Sequence, residues 1–301
     1  MYHHYSLHKI DDDAKLSFSP SDYSKFKFGD PMSTDSFGKH LASGFLQQSG
    51  NLLLQHNDIV FLPSPFNCIP TASYFLSQKF KTEVNKFLHK HDKKALLESK
   101  IHRYKTYSED YGNLNSEERL NLISTDTYHV DTKFLTNRLC IFLDDIKITG
   151  SHELIIRKIL RQNNIEGDFM FVYFAELTNK NISPVFENFL NYHFVKGIDE
   201  IKVLLNNPGL QINTRTIKFI LNEKNPINSL ILDVPKNVFQ KIIDYAIGNN
   251  YHLMDEYKVN LNKLIKHTEY DKISIALSHA EARSICSLDY CAPGQTLPSP
   301  A

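Results

Sequence analysis

The chain has 301 residues, a formal net charge of zero, and 42% hydrophobic residues. This balance is typical of a folded globular protein and gives no support to a polyanion-binding surface, so no nucleic acid partner is predicted. The sequence has no apolar run long enough to span a bilayer, and its first residues lack the apolar core of a signal peptide. We therefore expect no membrane association and a cytoplasmic location.

Cysteines and histidines could signal disulfides or a metal site. The cysteines are Cys68, Cys140, Cys286 and Cys291. They are few and unpatterned, and Cys140 falls inside an apolar run, so we expect them to be reduced. None of the histidines has a recognised zinc-ligand spacing. His89 and His91 lie in a lysine-rich stretch and are interpreted as exposed.

The first predicted element lies at residues 23–30, with the sequence YSKFKFGD. Aromatic residues alternate with Lys25 and Lys27, which predicts an edge strand or an extended arm, followed by a helix from about Thr34. The two lysines could meet a pyrophosphate. They could equally form the solvent face of a two-sided strand.

A second element begins with the apolar run at residues 58–62, which predicts a short buried strand. Two prolines follow and would end the strand and stiffen the turn. A helix is predicted from Thr71. Ser64, Asn67 and Thr71 are the polar candidates for ligand contacts here, although turn and cap chemistry selects the same residue types.

Residues 103–130 form a long polar stretch that contains an acid-Arg-x-Asn sequence at 118–121. A polar loop of this length is uncommon in a compact domain unless it is functional or disordered. Arg103 and Arg119 are candidates for substrate contacts. The alternative for the charged residues around Arg119 is a solvated first turn of a helix.

The most informative stretch is LCIFLDDIKITGSHE at residues 139–153. Its first five residues have the length and apolarity of a buried parallel strand, and open α/β sheets bind ligands at the carboxyl ends of such strands. Asp144 and Asp145 follow, and their carboxylates suit a pair of vicinal hydroxyls. Residues 149–152 then open a helix, whose first N–H groups and dipole favour a phosphate. The order predicts a sugar 5-phosphate site; the alternative is two acids ending a strand, with Thr149 as a helix cap.

The remaining chain divides into one more strand and a helical region. Residues 168–175 are predicted as the next parallel strand, beside the first through a right-handed crossover. Farther on, apolar residues recur at helical spacing. We predict a first domain at residues 1–197, a helical region at 198–291 and a disordered, proline-rich tail at 292–301.

The stretch 139–153 resembles the ribose-phosphate signature of type I phosphoribosyltransferases. The segments 103–130 and 23–30 are similar to those of ComF-like members from bacterial stress-associated gene clusters. The resemblance implies an α/β fold of the type I phosphoribosyltransferase class, with a central parallel sheet flanked by helices, to which this chain adds a C-terminal helical appendage. The chain departs from the pattern in having His152 where Thr is frequent and Ile148 where a small residue is frequent.

The resemblance also implies roles for individual residues. Asp144 and Asp145 would be the catalytic acids, holding the ribose hydroxyls of phosphoribosyl pyrophosphate together with Mg²⁺, the expected cofactor. The residues it assigns to substrate binding are Thr149, Gly150, Ser151, His152, Ser64, Asn67, Arg103 and Arg119. Magnesium would bridge the pyrophosphate and the ribose hydroxyls.

The function predicted from the resemblance is a glycosyltransferase reaction, in which ribose 5-phosphate passes to a nitrogen nucleophile such as a nucleobase and pyrophosphate is released. One alternative is a non-catalytic protein that senses phosphoribosyl pyrophosphate or a nucleotide. Another is that the helical half recognises a protein partner. The acceptor and the oligomeric state stay open, with a homodimer as one form.

Overall fold

The computed structural model describes residues 1–103 and 128–270. Its strands are β1 (Tyr2–Ile10), β2 (Ile59–Pro63), β3 (Leu97–Glu98), β4 (His102–Arg103), β5 (Tyr128–His129), β6 (Arg138–Lys147) and β7 (Gly167–Leu177). Five of them form one sheet in the order β1-β7-β6-β2-β3, and every neighbouring pair is parallel. The short strands β4 and β5 pair with each other in antiparallel fashion. The predicted central parallel sheet is therefore confirmed.

Helices cover both faces of this sheet. Those of the first two thirds of the described chain are α1 (Pro20–Lys27), α2 (Pro31–Leu54), α3 (Ala72–Lys90), α4 (Thr132–Leu135), α5 (Ser151–Gln162) and α6 (Phe186–Asn191). On one face α2 and α3 pack through aromatic rings: Phe37 stacks on Phe174 of β7 at 4.4 Å, and Phe80 stacks on Phe61 of β2 at 6.0 Å between ring centroids. This stacking fixes both helices against the centre of the sheet.

Helix α5 covers the opposite face. Its residues Ile155 and Ile159 are buried in a cluster with Phe142 of β6 and Phe171 of β7. Isoleucines four residues apart lie on one side of a helix, so one apolar stripe is sufficient to hold α5 on the sheet. The helix predicted after the Thr-Gly-Ser turn is thereby confirmed.

The two strands predicted from apolar runs are neighbours, with Leu143 of β6 opposite Val172 of β7. However, β6 continues past the predicted strand end and reaches Lys147. Asp144 and Asp145 consequently lie inside the strand. Successive side chains of a strand point to opposite faces, so the two carboxylates are directed apart.

The first predicted element is wrong in type. Residues 20–27 form helix α1, which begins with Pro20 after Ser19, and the Ser19 hydroxyl accepts a hydrogen bond from the N–H of Asp22. This is a regular helix start, with a capping serine followed by proline. Tyr23 and Phe26, three residues apart, are both fully buried. The aromatic spacing therefore reflects one buried helix side, rather than the alternation of an edge strand.

The C-terminal part of the described chain is helical. Its helices are α7 (Ile198–Leu205), α8 (Thr214–Leu221), α9 (Asn228–Asp233), α10 (Lys236–Gly248) and α11 (Asp255–Thr268), with a 3-10 turn at Tyr251–Leu253. They enclose an apolar core of their own, into which Phe28 and Ile69 from the first part of the chain also pack. The division at residue 197 stays a prediction, and the predicted disordered tail lies outside the described residues.

Several smaller predictions concern single side chains and the membrane. Cys140 is buried and free, Cys68 is exposed and free, and the other two cysteines fall outside the described residues. His89 and His91 are exposed, as predicted. Among the helices described, none has both the length and the apolarity needed to cross a membrane.

The turn between α1 and α2 contacts the C-terminal helical part of the chain. Gly29 has a φ of +90°, and a Cβ atom there would lie 2.2 Å from the carbonyl oxygen of Gln211. The N–H of Gln211 donates to the Gly29 carbonyl oxygen at 2.9 Å, so the two backbones are held in contact. A residue with a Cβ atom in the left-handed region costs about 1–2 kcal/mol. We expect Gly29→Ala to lower the free energy of unfolding, measured in urea, by more than this amount.

Gly209→Ala is the matched control for this prediction. Gly209 has a similar φ of +87°, but the nearest atom to a Cβ there is Cγ of Pro31, at 4.0 Å. This variant should therefore show the conformational cost alone. Equal losses of stability in the two variants would mean that the contact between Gly29 and Gln211 adds nothing.

Candidate functional site

Three of the predicted site residues meet at the carboxyl ends of β2 and β6. Ser64 directly follows β2, and its hydroxyl lies 2.8 Å from Oδ1 of Asp144 and 3.0 Å from the carbonyl oxygen of Leu143. Nδ1 of His152, in the first turn of α5, lies 3.0 Å from Oδ2 of Asp144. Each oxygen of the Asp144 carboxylate thus has a side-chain partner, one from the turn after β2 and one from α5. The structure brings Ser64, Asp144 and His152 into one hydrogen-bonded group.

Asp145 lies apart from this group. Its Oδ2 accepts a hydrogen bond of 2.8 Å from the Tyr23 hydroxyl, and Nζ of Lys27 contacts the same oxygen. Tyr23 and Lys27 belong to α1, which covers the sheet face opposite to α5. Lys27, a predicted candidate for a pyrophosphate contact, is therefore paired inside the protein with the second acid of the motif.

The two acids differ in charge behaviour as well as in partners. Burial raises the pKa of the Asp144 carboxyl, but the hydrogen bond and charge of His152, together with Ser64, lower it more, so its pKa lies well below the usual range. Burial raises the pKa of Asp145, and the positive charge of Lys27 offsets only part of that rise. Asp144 is thus anionic at neutral pH, and 19% of its side chain is exposed.

The predicted phosphate turn has the expected geometry for a helix start. Gly150 is the cap residue with a φ of +74°, in the left-handed region that favours glycine, and α5 begins at Ser151. The hydroxyls of Thr149 and Ser151 lie 2.8 Å apart, and the N–H of Ser151 lies 3.4 Å from the Thr149 hydroxyl. Because the cap is glycine, the first N–H groups of α5 receive no side-chain acceptor from that position, which suits an anionic ligand.

An ionic network flanks this turn. Nζ of Lys147 lies 2.9 Å from the carboxylate of Glu153 and 3.2 Å from that of Glu176, while Nε2 of His4 lies 2.9 Å from Glu176. These residues come from β6, α5, β7 and β1, so the network joins the strand before the turn to the helix after it. Lys147 also offsets the negative charge that the buried Glu153 places near the phosphate turn.

We expect Glu176→Gln to weaken this network in a pH-dependent way. His4 is the main cause that holds the pKa of Glu176 at about 2, below its ordinary value of 4.5. A carboxyl whose pKa is depressed by folding contributes stability above its unfolded pKa and loses it as the pH falls through the folded value. The variant should therefore lose about 1.5–3 kcal/mol at pH 7, the range for hydrogen bonds to charged groups, and lose less between pH 4.5 and pH 2.

Chemical denaturation at a series of pH values measures this difference. Glu166→Gln provides the control, because it is the same chemical change at an exposed position just before β7. The loss of stability in Glu176→Gln should shrink below pH 4.5. If it did not, the ionised form of the Glu176 carboxyl would not be the form that stabilises the network.

The remaining predicted residues lie away from the central group or outside the described part. Asn67 is exposed in the turn after β2. Thr71 caps α3 by accepting a hydrogen bond from the N–H of Tyr74, which is the alternative that the sequence left open. Arg103 lies in β4, and Arg119 falls outside the described residues. The hydrogen bonds of Asp144 therefore connect the turn after β2 to the first turn of α5. The roles of the two arginines stay predictions.

The predicted magnesium ligands do not fit a metal site built by the protein alone. Asp144 and Asp145 are directed to opposite faces, and Lys27 already supplies a positive charge to Asp145. Within residues 1–103 and 128–270, no group of three or more metal-ligating side chains is found. The two carboxylates therefore do not form a shared metal site.

A model of the family described as "PRTase ComF-like" matches residues 1–264. The match spans the parallel sheet, the candidate site and most of the C-terminal helices. The chain therefore belongs to the ComF-like phosphoribosyltransferase family, which supports phosphoribosyl transfer as its general class of activity. No curated protein matches the sequence.

Two crystal structures of a hypoxanthine phosphoribosyltransferase from Staphylococcus aureus, in orthorhombic and tetragonal forms, are similar to this chain. The first shares 9% sequence identity and a TM-score of 0.28, over 55% of this chain and 79% of the other. The second shares 10% identity and the same TM-score, over 54% and 77%.

Proposed function

We propose that the protein transfers ribose 5-phosphate from phosphoribosyl pyrophosphate to a nitrogen nucleophile and releases pyrophosphate. The observation that carries this proposal is the hydrogen-bonded group of Ser64, Asp144 and His152 beside the glycine-capped start of α5. An anionic acceptor of hydroxyl hydrogen bonds and a phosphate-binding helix start, held side by side, match the two ends of a ribose 5-phosphate.

Each part of the site has a proposed role. The turn at residues 149–151 binds the 5-phosphate, and Asp144 accepts hydrogen bonds from the ribose hydroxyls. Ser64 and Asn67, after β2, face the pyrophosphate, while Arg103 and Arg119 stay proposed contacts to the donor. For Asp145 we propose a supporting role, because its carboxylate holds Lys27 and Tyr23 and so fixes β6 to α1.

The chemistry follows from charge and position. The bond between C1 and the pyrophosphate oxygen breaks, and the electron pair leaves with pyrophosphate. The nitrogen of the acceptor then bonds to C1 and gives up its proton to the released pyrophosphate. The anionic Asp144 stabilises the positive charge that develops on the sugar, and the fixed 5-phosphate keeps C1 within reach of the acceptor. None of these steps needs a nucleophile from the protein.

For magnesium we propose that the ion is carried by the pyrophosphate oxygens of the donor. Mg²⁺ usually keeps several waters and relies on substrate phosphates rather than on a cage of protein ligands. This placement agrees with the separation of Asp144 from Asp145.

One observation favours a second function, a sensor that binds the donor without turnover. The contact between Lys27 and Asp145 takes the second acid of the motif out of the group around Asp144. In such a sensor Asp144 binds the ribose hydroxyls through its remaining lone pairs and stabilises the transition state poorly, because its oxygens are also bonded to Ser64 and His152. Measuring donor binding and turnover separately distinguishes the two functions.

The test combines calorimetry with an assay of pyrophosphate release. The wild-type protein, with magnesium present, should bind phosphoribosyl pyrophosphate and release pyrophosphate with at least one member of a panel of nitrogen acceptors. Thr149→Glu places a negative charge at the phosphate turn, and we expect donor affinity to fall at least tenfold, about 1.4 kcal/mol. The control is Gln162→Glu, which adds the same charge at the exposed last residue of α5. Because a helix rises about 1.5 Å per residue, this charge lies far from the phosphate turn.

Binding without turnover across the panel would replace the transferase by the sensor. Absence of donor binding in the wild-type protein would remove both functions. Equal affinity losses in Thr149→Glu and Gln162→Glu would show that net charge, and not the turn, controls donor binding.

A further inference from the structure

The turn after β2, residues 64–70, is bonded to the C-terminal helices as well as to the sheet. At its start, the hydroxyl of Ser64 is bonded to β6. Toward its end, the N–H of Cys68 donates to Oδ1 of Asn249, the residue that follows α10, at 3.1 Å. Residues 65–67 lie between these two attachments. The turn that carries two of the proposed donor contacts is therefore held from both sides.

Helix α8 makes a further attachment, where the turn passes into α3. The hydroxyl of Thr214, the first residue of α8, donates to the carbonyl oxygens of Ile69 and Pro70, at 3.1 and 3.2 Å. The N–H of Thr214 donates to the same Pro70 oxygen at 2.9 Å. The side chain of Ile69 is buried in the apolar core of the C-terminal helices. The last residues of the turn thus belong to that core as much as to the sheet part.

The side chain of Asn249 is itself fixed. It is 5% exposed, and its amide nitrogen donates to the hydroxyl of the buried Tyr251 at 3.5 Å. Because an unpaired amide oxygen costs free energy when it is buried, Asn249 favours the position of the turn in which the Cys68 N–H meets it. Gly248, the last residue of α10, allows the close approach, since a Cβ atom there would lie 2.4 Å from Sγ of Cys68.

These attachments bear on ligand binding through the freedom that they remove. A ligand bound by a flexible loop has to order that loop, and the lost freedom weakens binding. Pro65 fixes one backbone angle of the turn. Hydrogen bonds on both sides of residues 65–67 restrict the rest, so Ser64 and Asn67 are presented in one arrangement before the ligand arrives.

We propose that the C-terminal helices hold the turn after β2 in the position that binds the pyrophosphate of the donor, with Asn249 and Thr214 as positioning residues. The inference rests on the proposed function and gives the C-terminal helices a part in it. Both residues act through the backbone of the turn, not through contact with the donor. The start of α5, which is proposed to bind the 5-phosphate, is a separate segment of the chain.

Two ligands distinguish this role from a general loss of stability. Phosphoribosyl pyrophosphate needs both the phosphate turn and the turn after β2, whereas ribose 5-phosphate has no pyrophosphate and needs only the first. Thr214→Val keeps the shape of the side chain and removes its hydroxyl. In calorimetry with magnesium present, this variant should bind phosphoribosyl pyrophosphate roughly three- to tenfold more weakly, the range for loss of one hydrogen bond. Its affinity for ribose 5-phosphate should equal that of the wild type.

Thr216→Val and Thr214→Ser are the matched controls. Thr216 lies on the same helix, and its hydroxyl donates to the carbonyl oxygen of Phe28, just after α1, at 2.9 Å. Thr216→Val should therefore lower the free energy of unfolding, measured in urea, and leave both affinities unchanged. Thr214→Ser keeps the hydroxyl and should bind phosphoribosyl pyrophosphate like the wild type.

Asn249 provides a second test at an independent attachment. Asn249→Asp keeps an acceptor oxygen for the Cys68 N–H, whereas Asn249→Leu has none. We expect the leucine variant to lose affinity for phosphoribosyl pyrophosphate and the aspartate variant to retain it. Circular dichroism checks that each variant is folded, and Thr214→Val carries the test if Asn249→Leu is unfolded.

The outcomes separate this inference from the proposed function. Unchanged affinity for phosphoribosyl pyrophosphate in folded Thr214→Val and Asn249→Leu would overturn the inference alone. Equal losses for phosphoribosyl pyrophosphate and ribose 5-phosphate would also overturn it, because the whole site would then have changed. A wild-type protein that bound neither ligand would reject the proposed function, and this inference with it.

Discussion

Asp144→Asn is expected to lower turnover by roughly 10²- to 10³-fold, the range for loss of one preorganised electrostatic group, while the chain stays folded. The change is isosteric and removes the negative charge that faces the proposed ribose position. An Asn amide can still bond to either Ser64 or His152, so the local structure should persist. Steady-state pyrophosphate release, with donor affinity from calorimetry, measures the two effects separately.

Asp145→Asn is the control, and it differs from the first variant by one position along β6. Because the Asp145 carboxylate bonds to Lys27 and Tyr23 on the other face, we expect little change in donor affinity and a measurable loss of stability. If Asp144→Asn and Asp145→Asn had equally low turnover and unchanged stability, the separate roles proposed for the two acids would be contradicted. That result would restore the sequence-based expectation that both acids hold the ribose.

Lys27→Met should lower the free energy of unfolding by about 3–5 kcal/mol, the cost of leaving one partner of a buried ion pair alone. The side chains of Lys27 and Asp145 are only 10% and 8% exposed, so water cannot replace the missing ammonium. Methionine keeps much of the length of the lysine side chain, which limits the loss of packing. Urea denaturation at pH 7 measures the effect.

The double variant Lys27→Met/Asp145→Leu is the control for that measurement. Replacing both partners by apolar residues of similar size is often neutral or stabilising, so much of the lost stability should return. The single variant should also improve as the pH falls, because a carboxyl with a raised pKa binds its proton more tightly in the folded state and destabilises the fold as the pH rises. A double variant as unstable as Lys27→Met would mean that packing, not charge, controls the effect.

The sequence predicted the elements whose signals are local. The apolar run of β6 and the helical spacing of α5 need no information from elsewhere in the chain, and both are confirmed. The strand prediction for residues 23–30 was wrong because Lys25 to Phe28 alternate between lysine and phenylalanine, whereas the spacing of Tyr23 and Phe26 is helical. The cap at Ser19 and the following proline were the signals that could have decided between them.

Strand β1 was not predicted at all. It lies at the edge of the sheet, and its sequence YHHYSLHKI is too polar to resemble a buried strand. Histidines and serine of this strand bond to side chains of its neighbour, as Ser6 does to Glu176 at 2.9 Å. A strand with this polar pattern can be predicted only once the strand that it pairs with is known.

The candidate site was predicted in part. Asp144 and the turn at residues 149–151 follow from the order of residues in one short stretch. The pairing of Asp145 with Lys27 and Tyr23 could not be predicted, because it joins residues more than a hundred positions apart. Period-two alternation could have indicated that the two acids point to opposite faces, had the strand been extended through them.

The position of β1 beside β7 has a consequence for synthesis on the ribosome. The amino group of Met1 bonds to the carbonyl oxygen of Gly167, 166 residues later, and the two strands run parallel from there. At about 5–20 residues per second, the first strand emerges and waits roughly 10–30 s for its partner. Its polar side chains would limit association with other nascent chains during that delay, at the cost of leaving the sheet incomplete until translation has passed β7.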